Sequence, residues 1–184
     1  MLNIRNKAKM LQTGKEPMSA EVRFLSEPYH KHQETIMNIY QRIVQDHDNH
    51  RELAAKIMKT EGNSDERNKL WEQFKPEATA HANAEEQTLY AELLEAQKSQ
   101  EQARHSVHEH KEADDLIQEL DEMDMSSSGW IQKFEKLKDE LEHHMKEEED
   151  DVFKIAKKVL SDDLANDLVE KFEKRKNSEI SEIA

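Results

Sequence analysis

Residues 128–160 read SGWIQKFEKLKDELEHHMKEEEDDVFKIAKKVL, a stretch without proline whose single glycine, Gly129, stands at its start. Phe134, Leu137, Leu141, His144, Glu148, Val152, Ile155 and Val159 recur along it at steps of three and four. That spacing gathers them on one face of an α-helix. The loop Met125-Ser126-Ser127-Ser128-Gly129 precedes it. One such stripe is too narrow to be buried alone, so this helix needs partners of its own kind.

Three further stretches carry the same period. The first starts near Pro28 and places Ile36, Tyr40, Ile43, His47, His50, Ala54 and Ile57 on one side, with Thr60 to Ser64 ending it. The second runs over 65–95 with Leu70, Phe74, Ala78, His81, Glu85, Thr88 or Leu89, and Glu92 or Leu93 in phase. Pro76 marks a kink or a break within it. The third covers 97–124 and turns Ala103, Val107, His110, Ala113, Ile117 and Leu120 inward. Four helices of similar length on short connections predict an all-α fold, an up-down-up-down antiparallel four-helix bundle. Residues 1–28 form an N-terminal arm interrupted by Gly14 and Pro17, with a short helix over Ala20 to Leu25. Residues 29–160 form the bundle. Residues 161–184 form a short extra C-terminal helix, Asp162 to Arg175 behind the cap candidate Ser161, and a frayed tail.

Composition agrees with helix and excludes several functions. Among 184 residues there are three glycines and three prolines, while 37% are charged. No cysteine is present, so neither disulfides nor thiolate chemistry is available. The formal net charge of −14 disfavours nucleic acid and anionic membrane surfaces as partners. No apolar run approaches the roughly 18 residues of a membrane span. The opening residues lack a continuous apolar segment of the secretory type, so the expected location is cytoplasmic. No glycine-rich phosphate loop is present, which argues against a nucleotide-binding fold.

The polar residues inside the stripes carry the chemistry. His81 and Glu85, and again His144 and Glu148, are four apart and share a helix face. His47 and His110 fall on the stripes of the first and third helices. Closing the bundle brings four imidazoles and two carboxylates inward, a set too costly to bury uncompensated. Metal cations offset the carboxylate charge and use the imidazole lone pairs. The local contexts repeat: HANAEEQTLY (81–90) and HMKEEEDDVF (144–153) both read His-x-x-x-Glu-Glu with an aromatic residue four after the second glutamate.

On these motifs the chain resembles the hemerythrin-type, or HHE cation-binding, domain over roughly residues 30–160. Asp46-His47 with Glu52-Leu53, His81 with Glu85, Glu109-His110 with Leu116-Ile117, and His144 with Glu148 match its four elements in turn. The resemblance implies a bundle holding two iron ions with an oxo or hydroxo bridge, with Mn or Zn as lesser options. It implies His47, His81, Glu85, His110, His144 and Glu148 as ligands, with Glu85 and Glu148 bridging. It also implies dioxygen or another small diatomic or peroxide as ligand, and a role in oxygen sensing, oxygen binding or stress response. A metal- and oxygen-binding protein is expected rather than a true enzyme. The alternative is an iron-responsive regulatory or interaction module without redox turnover. A metal-free helical scaffold is the third reading.

Oxygen-carrying members of the family have five histidines. His50, three residues from His47, is one candidate for a fifth ligand; His105 and His108 are candidates to replace or join His110. His143 is a further candidate for the fifth ligand, but, one position out of phase with His144, it is expected to face a neighbouring helix or solvent. Glu86 and Glu149 are expected to point outward or to orient a liganding histidine through its second nitrogen. Tyr40 and Tyr90 are expected as core aromatics whose hydroxyls gain a role only where they reach the centre.

Overall fold

The computed structural model describes residues 37–183. The expected N-terminal arm with its short helix, together with Pro28, His30, His32 and Ile36, lies outside the described residues. Helix α1 spans Ile39–Ile57. It begins at Asn38 rather than near Pro28, because Asn38 and Gln41 exchange a reciprocal capping box at 3.1 Å in each direction. The turn after it uses Gly62, whose φ of +55° suits a residue without a side chain. Helix α2, Asp65–Glu86, is capped by Ser64 and carries Asp65 and Glu66 in its first turn, where the helix dipole favours acidic groups.

Two expected long helices are interrupted, each immediately beside a site glutamate. Pro76 lies within α2 and does not end it. The helix stops instead at Gln87–Thr88, where the Thr88 hydroxyl donates to the Ala84 carbonyl at 2.6 Å, and the chain resumes as α3, Leu89–Glu95. Helix α4 spans Gln100–Glu122 and α5 spans Ser128–Glu147. Residues Glu148–Val152 then form a π-turn before α6, Phe153–Val159. A π-turn inserts one residue into the helical phase. Ile155 and Val159, expected in the stripe, are therefore only half-buried, and Phe153 and Ala156 are buried in their stead.

The four antiparallel segments are α1, α2 with α3, α4, and α5 continuing through the π-turn into α6. Against them lies α7, Asp162–Ile183. It is not short: its 22 residues continue through the expected tail, because Phe172, Lys176 and Glu179 are buried against α1 and α2.

The apolar interior is in two parts. One gathers Ile39, Ile43, Leu89, Val152, Phe153 and Phe172; the other gathers Ile57, Trp71, Phe74, Leu120, Trp130 and Phe134. Between them lies a polar layer of His47, His81, Glu85, His110, His144 and Glu148, none more than 7% exposed. Desolvating six such groups opposes folding, so the layer demands a compensating partner.

Candidate metal centre

Each of the four segments delivers one histidine to this layer: α1 His47, α2 His81, α4 His110 and α5 His144. Glu85 follows His81 by one helical turn, and Glu148 follows His144 at the first residue of the π-turn. The six residues form two groups that share Glu85. In one, ligand atoms of His47, His81, Glu85 and Glu148 lie within 4.8 Å of one another; in the other, those of Glu85, His110 and His144 do. Glu85 spans them with one oxygen apiece: Oε1 is 2.9 Å from His81 Nε2, and Oε2 is 3.3 Å from His110 Nε2. That is the reach of a carboxylate bridging two ions.

The close approaches of His47 and His81 to the two glutamates are not hydrogen bonds. His47 Nε2 lies 3.1 Å from Glu148 Oε2, yet these two atoms, His81 Nε2 and both Glu85 oxygens have no hydrogen-bonding partner among the described residues. Buried polar atoms are rarely left so. His110 Nε2 and His144 Nε2 face each other at 2.9 Å. Two nitrogens that bond to one octahedral ion at about 2.1 Å, about 90° apart, sit roughly this far from each other.

The outer nitrogens explain why the inner ones are free. Every one of the four rings has its Nδ1 beside a carboxylate: His47 by Glu149 at 2.8 Å, His81 by Asp46 at 3.0 Å, His110 by Glu86 at 3.1 Å, and His144 by Glu109 at 3.0 Å. A carboxylate there fixes the Nδ1–H tautomer and turns the Nε2 lone pair inward. Glu86 and Glu149 thus orient histidines, on helices other than their own. Asp46 and Glu109 do the same and were not expected. Their signal is in the sequence: positions 46, 47, 81, 85 and 86 recur at 109, 110, 144, 148 and 149, a constant offset of 63 residues. The centre is pseudo-twofold, and the orienting carboxylates come in the same pairs as the inner groups.

The electrostatics match. Burial alone would lower the His47 pKa, but Glu148 and Glu149 raise it to about 10. Glu85 and Glu86 likewise overcome burial at His110 and raise it to about 9. Burial pushes the Glu85 carboxyl upward, and His81 and His110 outweigh it and hold it well below its ordinary value. Without a metal, protons on these imidazoles supply the positive charge the carboxylates require.

His50 is buried at 3% exposure, its ring centroid 4.9 Å from that of His81 and its Nε2 unpartnered among the described residues, but it belongs to neither group. His105 and His108 do not come to the layer. Their side chains are 51% and 69% exposed, since both lie off the inward face that carries Ser106 and His110. His143 is also exposed. Tyr90 reaches the centre, its hydroxyl donating to Glu148 Oε1 at 2.8 Å. Tyr40 packs on Phe153, its hydroxyl without a partner among the described residues.

Two cavities flank the layer. One of about 240 Å³ between α2 and α4 is lined by Ala78, Ala82, Glu86, Val107, His110 and Ala113. Its counterpart of about 210 Å³ between α1 and α5 is lined by His50, Ala54, Phe74, Leu141 and Met145. The offset of 63 pairs His50 with Ala113. A bulky imidazole on one side corresponds to a methyl group on the other.

The family model of the hemerythrin HHE cation-binding domain matches residues 38–156. The chain belongs to that family. Its hemerythrin-type domain superposes on the crystal structure of a hemerythrin HHE cation binding domain-containing protein from Mycobacterium kansasii with a TM-score of 0.71. The two are 25% identical over 79% of this chain and 89% of that one. Comparison with curated proteins gives no match. Among the described residues no helix is long and apolar enough to cross a membrane. The hemerythrin-type domain thus carries clustered histidines and glutamates suited to a pair of metal ions and to oxygen binding.

Proposed function

We propose that the protein is a non-haem di-iron protein that binds dioxygen or a related small oxidant, for oxygen sensing, oxygen binding or a stress response. The observation that carries this reading is the set of four inward Nε2 atoms, each with its Nδ1 held by a carboxylate, around Glu85. Imidazole and carboxylate donors without thiolate suit iron, and Mn or Zn after it. His47, His81, Glu85 and Glu148 would hold one ion, and Glu85, His110 and His144 the other. When bound, the pair supplies reversible one-electron steps and an affinity for small oxygen ligands.

The chain's own residues do the rest. Asp46, Glu86, Glu109 and Glu149 hold the rings in place and raise their basicity. Ile43, Leu89, Ile117, Leu141 and Val152 line the two apolar clusters and limit water. Tyr90 keeps its proton, because burial together with Glu148 and Glu85 pushes its pKa well above the ordinary value. Its hydroxyl is therefore a fixed donor to Glu148 rather than a ligand. Ala113 leaves the His110 side open to the cavity between α2 and α4, which gives a small oxidant its approach. A cytoplasmic setting belongs to the same proposal, since a chain without cysteine needs no oxidising compartment.

One observation favours a second reading, an iron-responsive module without redox turnover. Helix α7 touches the centre through Lys176, which is buried against Asp46. Loss of metal would then loosen the last helix.

Elemental analysis of chain purified without chelator, followed by anaerobic reduction and exposure to air, separates these readings. Close to two irons per chain and an optical spectrum that changes reversibly with oxygen support the first. Iron without an oxygen response, combined with metal-dependent protease sensitivity in α7, supports the second. No metal after anaerobic Fe(II) loading overturns both.

A further inference from the structure

The pseudo-twofold relation breaks again around Asp46 and Glu109. Asp46 Oδ2 holds His81, and its outer oxygen Oδ1 meets two cations, Arg42 Nη1 at 2.7 Å and Lys176 Nζ at 2.8 Å. The counterpart, Glu109, holds His144 with Oε2, but its outer oxygen Oε1 faces two imidazoles: His105 Nε2 at 3.5 Å and His143 Nε2 at 3.9 Å. Glu147 completes the arrangement, its Oε2 3.5 Å from His105 Nε2 and its Oε1 3.5 Å from His143 Nε2. Where the first half has fixed ammonium and guanidinium charges, the second half has only groups that ligate metal.

His105 and Glu109 are four apart on α4, and His143 and Glu147 are four apart on the adjacent α5. The His-x-x-x-Glu spacing of the buried centre is thus repeated twice on the outer face. Ligand atoms of His105, Glu109 and Glu147 lie within 4.8 Å of one another. In a tetrahedral site with bonds of about 2.0–2.1 Å, ligand atoms stand roughly 3.4 Å apart. His105 Nε2 stands 3.5 Å from one oxygen each of Glu109 and Glu147, and His143, outside that group of three, stands 3.5 Å from the other Glu147 oxygen. His105 and His143 are 51% and 61% exposed, so an ion reaches them directly from solvent.

We propose that His105, Glu109, His143 and Glu147 form a surface site for one divalent transition-metal ion, separate from the buried pair. Two imidazoles and two carboxylates fit Zn2+ or Fe2+. An ion there shares Glu109 with His144, so its occupancy bears on the orientation of a buried ring. The site itself does not depend on what the buried centre holds.

The test uses the full chain, loaded with Fe(II) and then oxidised, and Zn2+ as probe. Calorimetric titration and elemental analysis after dialysis give zinc per chain for the wild type, a His105→Ala/His143→Ala double variant and a His108→Ala control. The expected result is one more zinc in the wild type and the control than in the double variant, with iron content unchanged and the same helical circular dichroism. Equal zinc in all three overturns the proposal. A chain that takes up no iron overturns only the buried-centre reading, because the difference of one zinc is still measurable there.

Discussion

The ammonium of Lys176 on α7 lies 2.8 Å from Asp46 Oδ1, and the other oxygen of that carboxylate holds His81 Nδ1 at 3.0 Å. Lys176 is 5% exposed and also meets Glu77 at 2.7 Å. Phe172, one turn earlier, packs edge-on to the His81 ring, and Glu173 pairs with Arg42. Removing Lys176 leaves Asp46 with Arg42 as its remaining cation, so the cost falls below that of a buried charge stripped of its only partner, to about 1–3 kcal/mol. Lys176→Met is therefore expected to lower stability by about that amount in urea unfolding. Metal competition should show affinity weakened by about 10- to 100-fold, as for other losses of groups behind a liganding histidine.

Glu85 reaches both groups, whereas Glu86 touches only the outer nitrogen of His110. If Glu85 bridges two ions as proposed, Glu85→Gln removes the charge they would share, and metal content after loading should fall from about two per chain towards none. Glu86→Gln should keep the stoichiometry and weaken affinity by about 10- to 100-fold. Equal stoichiometry in the two variants would count against Glu85 as the bridge.

The metal-free chain should lose stability as pH rises. His47 is raised to about 10 and His110 to about 9 from an ordinary 6.5, because neighbouring carboxylates outweigh the opposing effect of burial. A group with a raised folded pKa stabilises fully below its unfolded pKa, and that contribution disappears as pH passes the folded value. Thermal melts of metal-free chain should thus shift downward between pH 6.5 and 10. Loading should show the opposite slope, since an ion must displace these protons. Proton release on metal binding at pH 7, measured by calorimetry in buffers of different ionisation enthalpy, checks the same point.

Phe134 is fully buried, stacked on Trp130 at 5.4 Å and edge-on to Phe74 at 5.4 Å. Phe134→Ala should cost about 3–5 kcal/mol in chemical unfolding. This cluster lies on one side of the polar layer, so the loaded metal count should be unchanged under conditions where the variant stays folded.

Much of the centre was legible in the sequence. Phase alone put His47, His81, Glu85, His110, His144 and Glu148 on inward stripes, because a 3.6-residue period determines which side chains share a helix face. His105 and His108 were candidates only because α4 is phased by small and weakly apolar residues. The buried face of α4 carries Ala103, Ser106, His110 and Ala113, which leaves both exposed. The helix breaks at Thr88 and Glu148 were not legible: each departs from α geometry inside a continuous helical period.

By itself the sequence determined the all-α class, the bundle and the six groups of the polar layer. Those follow from local periodicity and from the spacing of histidine and glutamate along a single helix. Only the tertiary structure decided which carboxylate stands behind which ring, that α7 is long and presses Lys176 onto Asp46, and that His105 and His143 both approach Glu109 and Glu147 across α4 and α5. These relations join residues 24 to 130 positions apart, and pairings at that range depend on how helices pack rather than on any one helix's pattern.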